Sequence, residues 1–173
     1  MFCEKNVREA INGDDDAFMN LMNECKEQLY RTAYAYVKDE EMSLDIVQET
    51  VCKAYTSIHK LREPKFFNTW IIRIVINIAI DFYKTKSKVV YIEQEELLSK
   101  MGSTKNQQDE RLYLLEVIDK MEEKYKKVII LKYFDDLTIQ DISKVLDMPI
   151  GTVKTHLNKG LSFLREYMKE EVI

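Results

Sequence analysis

The sequence predicts an all-α protein: two small helical bundles joined by a flexible linker. Three observations carry that expectation. Helix breakers are scarce in 173 residues, with Gly 4 and Pro 2, while Leu, Ile, Lys and Glu are plentiful. Apolar residues recur at three- and four-residue spacing through most of the chain. That periodicity fails from Thr85 to about Gln108, where Lys86-Ser-Lys, an acidic patch at Glu93–Glu96 and Gly102-Ser-Thr-Lys-Asn-Gln-Gln read as linker. The expected units are therefore 1–84, a linker over 85–108, and 109–173. With 46% hydrophobic and 32% charged residues, global disorder is excluded.

Within the first unit, Phe18, Leu21, Met22, Cys25, Leu29, Ala33 and Tyr36 form one helical stripe. Asp14, Asp15 and Asp16 precede it, offering an N-cap and suiting the positive end of the helix dipole. Leu44, Val47, Val51, Ala54 or Tyr55, and Ile58 define a second helix with Ser43 as its cap, and its outer face carries Asp45, Gln48, Glu49 and Lys53. Glu63-Pro64 interrupts the pattern, because proline disfavours helix at the residue before it. A third helix, from about Phe66 to Lys84, is apolar over a wide arc and should be the most buried, with Trp70 in the core. The run near Ile71–Ile80 is expected to be too short for a membrane span, and it contains Arg73 and Asn77. No signal peptide is expected.

In the second unit helical spacing resumes at Arg111. Leu112, Leu115, Ile118 and Met121 form one stripe, and Val128 and Leu131 belong to another. The last two helices are expected at Ile139–Leu146 and at about Ile150–Lys169.

The formal net charge of −4 argues against a simple nucleic-acid binder, but the charge is divided. Acids dominate from Asp14 to Glu49, whereas bases dominate from Arg62 to Lys88 and again from Met148 to Lys169. Such a chain suits a protein that holds a basic partner and DNA together. Cys3, Cys25 and Cys52 form no C-x-x-C pair, which suggests free thiols in a reducing cytosol. No catalytic residue, metal ligand set, cofactor or small-molecule substrate is expected. His59 and His156 fall in different units, and no metalloprotease, P-loop or dinucleotide motif occurs.

The most informative stretch runs from Leu137 to Gly160. Thr138 with Asp141 three residues on is a capping-box-like start. Asp147-Met-Pro breaks the short helix that follows, with Asp147 suited to a left-handed turn and Pro149 able to begin the next helix. That next helix buries Val153, Leu157, Leu161 and Leu164 and shows Thr152, Lys154, Thr155, His156, Asn158 and Lys159. A short helix, a tight turn and a polar-basic second helix make a helix-turn-helix, whose second helix lies in the major groove.

These residues resemble a known family. Gly151-Thr-Val-Lys-Thr-His-Leu looks like region 4 of bacterial sigma factors. Asp45-Ile-Val-Gln-Glu-Thr-Val resembles the D-x-x-Q-E-x-F signature of region 2, with Val51 in place of Phe. The segment from Phe67 to Lys84 resembles its F-x-x-W-L-x-x-I-x-x-N-x-x-x-D-x-x-R continuation, with Lys84 in place of Arg. Two regions and a linker alone point to the extracytoplasmic-function (group IV) class of the sigma-70 family. The resemblance implies a cytoplasmic, non-enzymatic initiation factor that binds core RNA polymerase and promoter DNA. It also implies control by an anti-sigma factor, commonly membrane-anchored. On this resemblance Asp45, Gln48 and Glu49 dock on the polymerase, Lys65, Phe66, Asn77, Asp81 and Lys84 meet the −10 element, and Thr152, Lys154, Thr155, His156 and Lys159 read the −35 element. The loop Lys60–Lys65 sits where the family captures a flipped base. A conventional regulator with a helix-turn-helix, or a helical adaptor without DNA, would lack the region 2 blocks.

Overall fold

The structure is a computed structural model that describes residues 3–89 and 107–170, with side chains described over 3–83 and 113–168. Most of the expected linker, and the side chain of Lys84, lie outside the described residues. The described residues are helical with short connections.

The chain opens with a helix absent from the expectation, α1 (Glu4–Ile11). Val7 and Ala10 anchor it in the core, and it packs on α2. Helix α2 (Asp15–Val37) begins as expected: the Asp14 carboxylate accepts the Ala17 N–H at 2.8 Å. It ends at Lys38, held left-handed at φ 53°. Helix α3 (Glu40–Ser57) starts three residues before the expected cap. Asp39 is the cap, accepting the Met42 N–H at 2.9 Å, and Ser43 is buried, donating to the Asp39 carbonyl. The core face of α3 is Ser43, Ile46, Thr50 and Ala54, while Leu44 and Tyr55 are each 53% exposed. The expected stripe is therefore rotated outward. The physical reason is that Ser43 and Thr50 donate to carbonyls one turn back, so they enter the core already hydrogen-bonded.

Two 3-10 turns, Ile58–Lys60 and Pro64–Phe66, carry the chain into α4 (Phe67–Val89). Helix α4 extends past the expected end at Lys84. The longer segment Pro64–Tyr83, the second 3-10 turn with most of α4, is by length and composition alone apolar enough to cross a membrane, with a mean hydropathy of 1.3. Within it Ile71, Ile72, Val75, Ile76, Ile78 and Ala79 are buried, and α4 packs against α2 and α3 as the central helix of the bundle.

The second bundle comprises α5 (Gln107–Asp119), α6 (Glu123–Tyr133), α7 (Ile139–Leu146) and α8 (Ile150–Glu170). Val128 through Leu131 are all buried on α6, because α7 and α8 cover one side and α2 touches the other. Gly160 lets α8 approach α6, since a Cβ there would sit 2.8 Å from the Ile129 side chain. Besides α2 against α6, the bundles touch where α7 lies on α4.

Candidate nucleic-acid interface

The helix-turn-helix forms by the local rules its sequence suggested. The Thr138 hydroxyl oxygen accepts the Asp141 N–H at 3.1 Å and donates to the Asp141 carboxylate at 2.6 Å, closing the α7 N-terminus. Asp147 adopts φ 52° and ψ 49°, the left-handed turn. Pro149 stands one residue before α8, and its carbonyl accepts the N–H groups of Thr152 and Val153.

On α8, Val153 and Leu157 are buried and Leu161 and Leu164 pack partly against the core. Lys154, Thr155 and Lys159 are exposed, and Thr152 is half-buried. The Thr155 hydroxyl donates back to the Gly151 carbonyl at 3.0 Å. His156 stands apart from this open row. Its ring lies edge-on to Tyr125 at 5.4 Å, and its Nδ1 is buried without a partner. Lys159 sits 5.9 Å from the same Tyr125 ring. The described face thus presents Thr152, Lys154, Thr155 and Lys159, with His156 at its edge.

In the first bundle, Lys65 is exposed, lies 3.8 Å from Glu63 and stands 5.1 Å from the Phe66 ring. Phe66 is 37% exposed, so an aromatic face and a cation share one turn. Asn77 and Asp81 are exposed one helical turn apart on α4. Trp70 is half-buried rather than fully enclosed, its ring 5.9 Å from that of Phe67. A cavity of about 870 Å³ opens between α1, α2 and the second 3-10 turn, where Phe67 and Asn68 stand among three carboxylates, Glu4, Glu24 and Glu27, and two cations, Arg31 and Lys65. Asn68 Oδ1 is buried without a partner. Sequence reading missed Asn68, although an amide in the first turn of so apolar a helix was a signal.

On α3, Asp45 and Gln48 are exposed, and Glu49 is half-buried with its carboxylate 2.8 Å from Lys53. Beside them runs an apolar groove of about 460 Å³ lined by Tyr30, Leu44 and Val47 and rimmed by Lys26, Glu27 and Arg31. The groove was also missed, because Leu44 had been assigned inward. Among the described residues, no three His, Cys, Asp or Glu side chains gather as a metal site.

Comparison with known proteins matches both bundles. Residues 21–89 fit the family model of sigma-70 region 2, and residues 111–164 that of sigma-70 region 4. The chain is 35% identical to RNA polymerase sigma factor SigV of Bacillus subtilis, over 84% of this chain and 87% of that protein. It is 30% identical to the ECF RNA polymerase sigma factor SigW of Bacillus subtilis over 98% of both. Among solved structures it resembles CnrH in complex with the cytosolic domain of CnrY, with TM-score 0.76 and 18% identity over 96% of this chain and 97% of that one.

Proposed function

Because the chain belongs to the extracytoplasmic-function sigma factors of the sigma-70 family, we propose that three of its surfaces divide the work of promoter recognition. The protein is a non-enzymatic sigma factor that directs RNA polymerase to promoters, with core polymerase and promoter DNA as its partners. In our reading it works in the cytoplasm, and an anti-sigma factor restrains it.

The first surface docks on core polymerase through Asp45, Gln48 and Glu49, and the Tyr30–Leu44–Val47 groove extends it. The second meets the −10 element. Lys65 and Phe66 offer phosphate contact and stacking, and Asn77, Asp81 and Lys84 follow along α4. The cavity beside Asn68 is where an extruded base would fit, because its unpaired amide oxygen accepts a base N–H. The third is the −35 reader, Thr152, Lys154, Thr155, His156 and Lys159, presented to the major groove. The units are 1–84 and 109–173, with a linker over 85–108.

The single observation that carries this reading is the juxtaposition on α3 of an exposed carboxylate and amide, Asp45 and Gln48, with a leucine left 53% exposed beside them. The apolar groove of Tyr30, Leu44 and Val47 supplies the contiguous apolar surface that supports a protein contact there. The test is titration of labelled full-length chain with core polymerase. Joint Asp45→Lys and Glu49→Lys reversal should weaken binding at least about tenfold, or roughly 1.4 kcal/mol, with helical circular dichroism unchanged. Leu44→Ala should weaken it too. Unchanged affinity in both would remove α3 from the docking surface.

A further inference from the structure

The first turn of α8 carries a side chain that the fold does not use. Ile150 opens the helix and is 43% exposed, whereas Val153 and Leu157, one and two turns further along, are buried. Leu146 and Met148, just before it in the chain, are partly buried against the core. An isolated exposed isoleucine is ordinary on a protein surface. This one stands at the residue that leads a helix-turn-helix into the groove, since such helices touch base edges with their N-terminal residues. Gly151 follows it, exposed, and a Cβ there would meet nothing within 4 Å. Among the described residues no neighbour therefore requires glycine, although glycine weakens a helix relative to alanine. Gly160 on the same helix is the contrast, because a Cβ there would meet the Ile129 side chain at 2.8 Å. The room at Gly151 opens outward, toward whatever α8 is laid against.

The polar groups around Ile150 leave one kind of base contact unserved. The Thr155 hydroxyl donates to the Gly151 carbonyl at 3.0 Å, so its proton is engaged within the helix. Lys154 lies one turn from Ile150 and is exposed, as is Lys159. Their ammonium groups donate to any acceptor they reach, such as guanine O6 and N7, thymine O4 or phosphate. Thymine alone presents a C5 methyl in the major groove beside its O4 acceptor. A branched apolar side chain sheds water against that methyl, which no ammonium or hydroxyl does.

We propose that Ile150 is a specificity residue of this chain: its side chain packs on the methyl of a thymine in the major groove, and Gly151 lets the helix approach closely enough for the contact. The inference rests on the reading of α8 as the −35 reader. It adds a second kind of discrimination beside that of Lys154. A lysine favours a base rich in acceptors, whereas Ile150 favours an A·T pair and sets which strand carries the thymine. A cytosine at that position offers no methyl, and its exocyclic amine would be desolvated against isoleucine without an acceptor.

The test deletes the methyl from the DNA. Holoenzyme reconstituted from core polymerase and the full chain selects promoter fragments from a pool randomised over the −35 region. The selected fragments should fix at least one A·T pair, and deoxyuridine in place of its thymidine removes only the methyl, keeping O4 and base pairing. That change should weaken holoenzyme binding about fourfold, the effect of one buried methyl group. In Ile150→Ala the same change should cost less than about 1.5-fold, because the contact it removes is already gone. A uridine penalty of equal size in Ile150→Ala assigns the contact to another residue and overturns the proposal. So does the absence of a penalty with isoleucine in place, or a selected set with no fixed A·T pair. Gly151→Ala should leave thermal stability unchanged or higher and weaken binding to every −35 variant alike, and unchanged affinity overturns the close approach. Lys159→Ala separates this proposal from the reading beneath it. If Lys159→Ala weakens promoter binding while the uridine penalty is missing, only the Ile150 contact falls. If Ile150→Ala, Gly151→Ala and Lys159→Ala all leave affinity unchanged, the −35 reading of α8 falls with it.

Discussion

The two bundles bury polar groups in opposite ways. In the first, the buried polar residues are Thr32, Ser43 and Thr50. Ser43 and Thr50 donate to a carbonyl of their own cap or helix, while the single Thr32 hydroxyl proton is shared between the Gln28 carbonyl at 2.9 Å and Asp135 at 2.6 Å. In the second they are Lys126 and Asp135, charged groups whose bonds reach across to α2. The buried hydroxyls of α3 are thus satisfied locally, whereas the buried charges of the second bundle depend on α2. A hydroxyl bonded one turn back needs no tertiary partner, whereas a buried charge does. The difference teaches that the first bundle is the platform and that the fit of the second depends on where it sits.

That contrast can be broken most directly at Lys126. Lys126→Met removes one partner of a buried ion pair, which costs about 3 kcal/mol or more when the remaining charge stays enclosed. Asp119 is partly exposed and keeps Lys38, so the lower end is expected, read as an earlier urea midpoint for the full chain. A shift below about 0.5 kcal/mol would mean Lys126 is not needed for the docked form.

Asp135 sharpens the contrast through pH. Burial raises its carboxyl from 3.8 to about 6, and the hydrogen bonds from Thr32 and Gln28 and the charge of Arg31 lower it only in part, with Asp136 opposing them. A carboxyl raised in the docked form favours docking when protonated. Its contribution is full below the ordinary carboxylate value and is lost as pH rises through about 6. Asp119 runs the other way: burial alone would raise it, but the Lys126 hydrogen bond and the charges of Lys126 and Lys38 hold it below its usual value. Its contribution is lost only at more acid pH. Between a fluorophore on each bundle, energy transfer should therefore fall as pH rises from 5 to 7, reflecting a loss of about 1 kcal/mol of docking free energy over that window. Asp135→Asn should flatten that step, and a step of equal size in the variant would assign it to another group.

The smallest effect belongs to the first bundle. Thr50→Val removes a hydroxyl whose acceptor, the Ile46 carbonyl, is already bonded within the helix, so thermal stability should change by less than about 1 kcal/mol. A loss as large as that of Lys126→Met would erase the distinction between the bundles.

Much of the fold was legible because local rules decided it. The limits of α7 and the start of α8 follow from Thr138, Asp147 and Pro149, residues whose preferences act within one turn. The exposed row Lys154, Thr155 and Lys159 was legible for the same reason. Ser43 misled because a hydroxyl near a helix start reads as a cap, while Asp39 four residues earlier took that role. Leu44 misled because apolar spacing cannot reveal that polar Thr50 faces inward. Helix α1 was missed although Val7, Ala10 and Ile11 carry helical spacing, since so short a stripe is a weak signal. Contacts such as Thr32 with Asp135 lie over a hundred residues apart in sequence, and no local pattern announces them.

The Thr32 hydroxyl bonds both the Gln28 carbonyl and Asp135, and this bears on the order in which the protein is made. At bacterial synthesis rates the residues of α5 to α8 follow α4 out of the ribosome by several seconds, whereas small helical domains fold in microseconds to milliseconds. The platform must therefore stand alone in water while its future partner is still being translated. A hydroxyl already bonded within its own helix, and a terminal Lys38, suit a surface that spends those seconds uncovered without becoming sticky. The nascent chain would meet polymerase with its docking groove complete before the covering bundle exists.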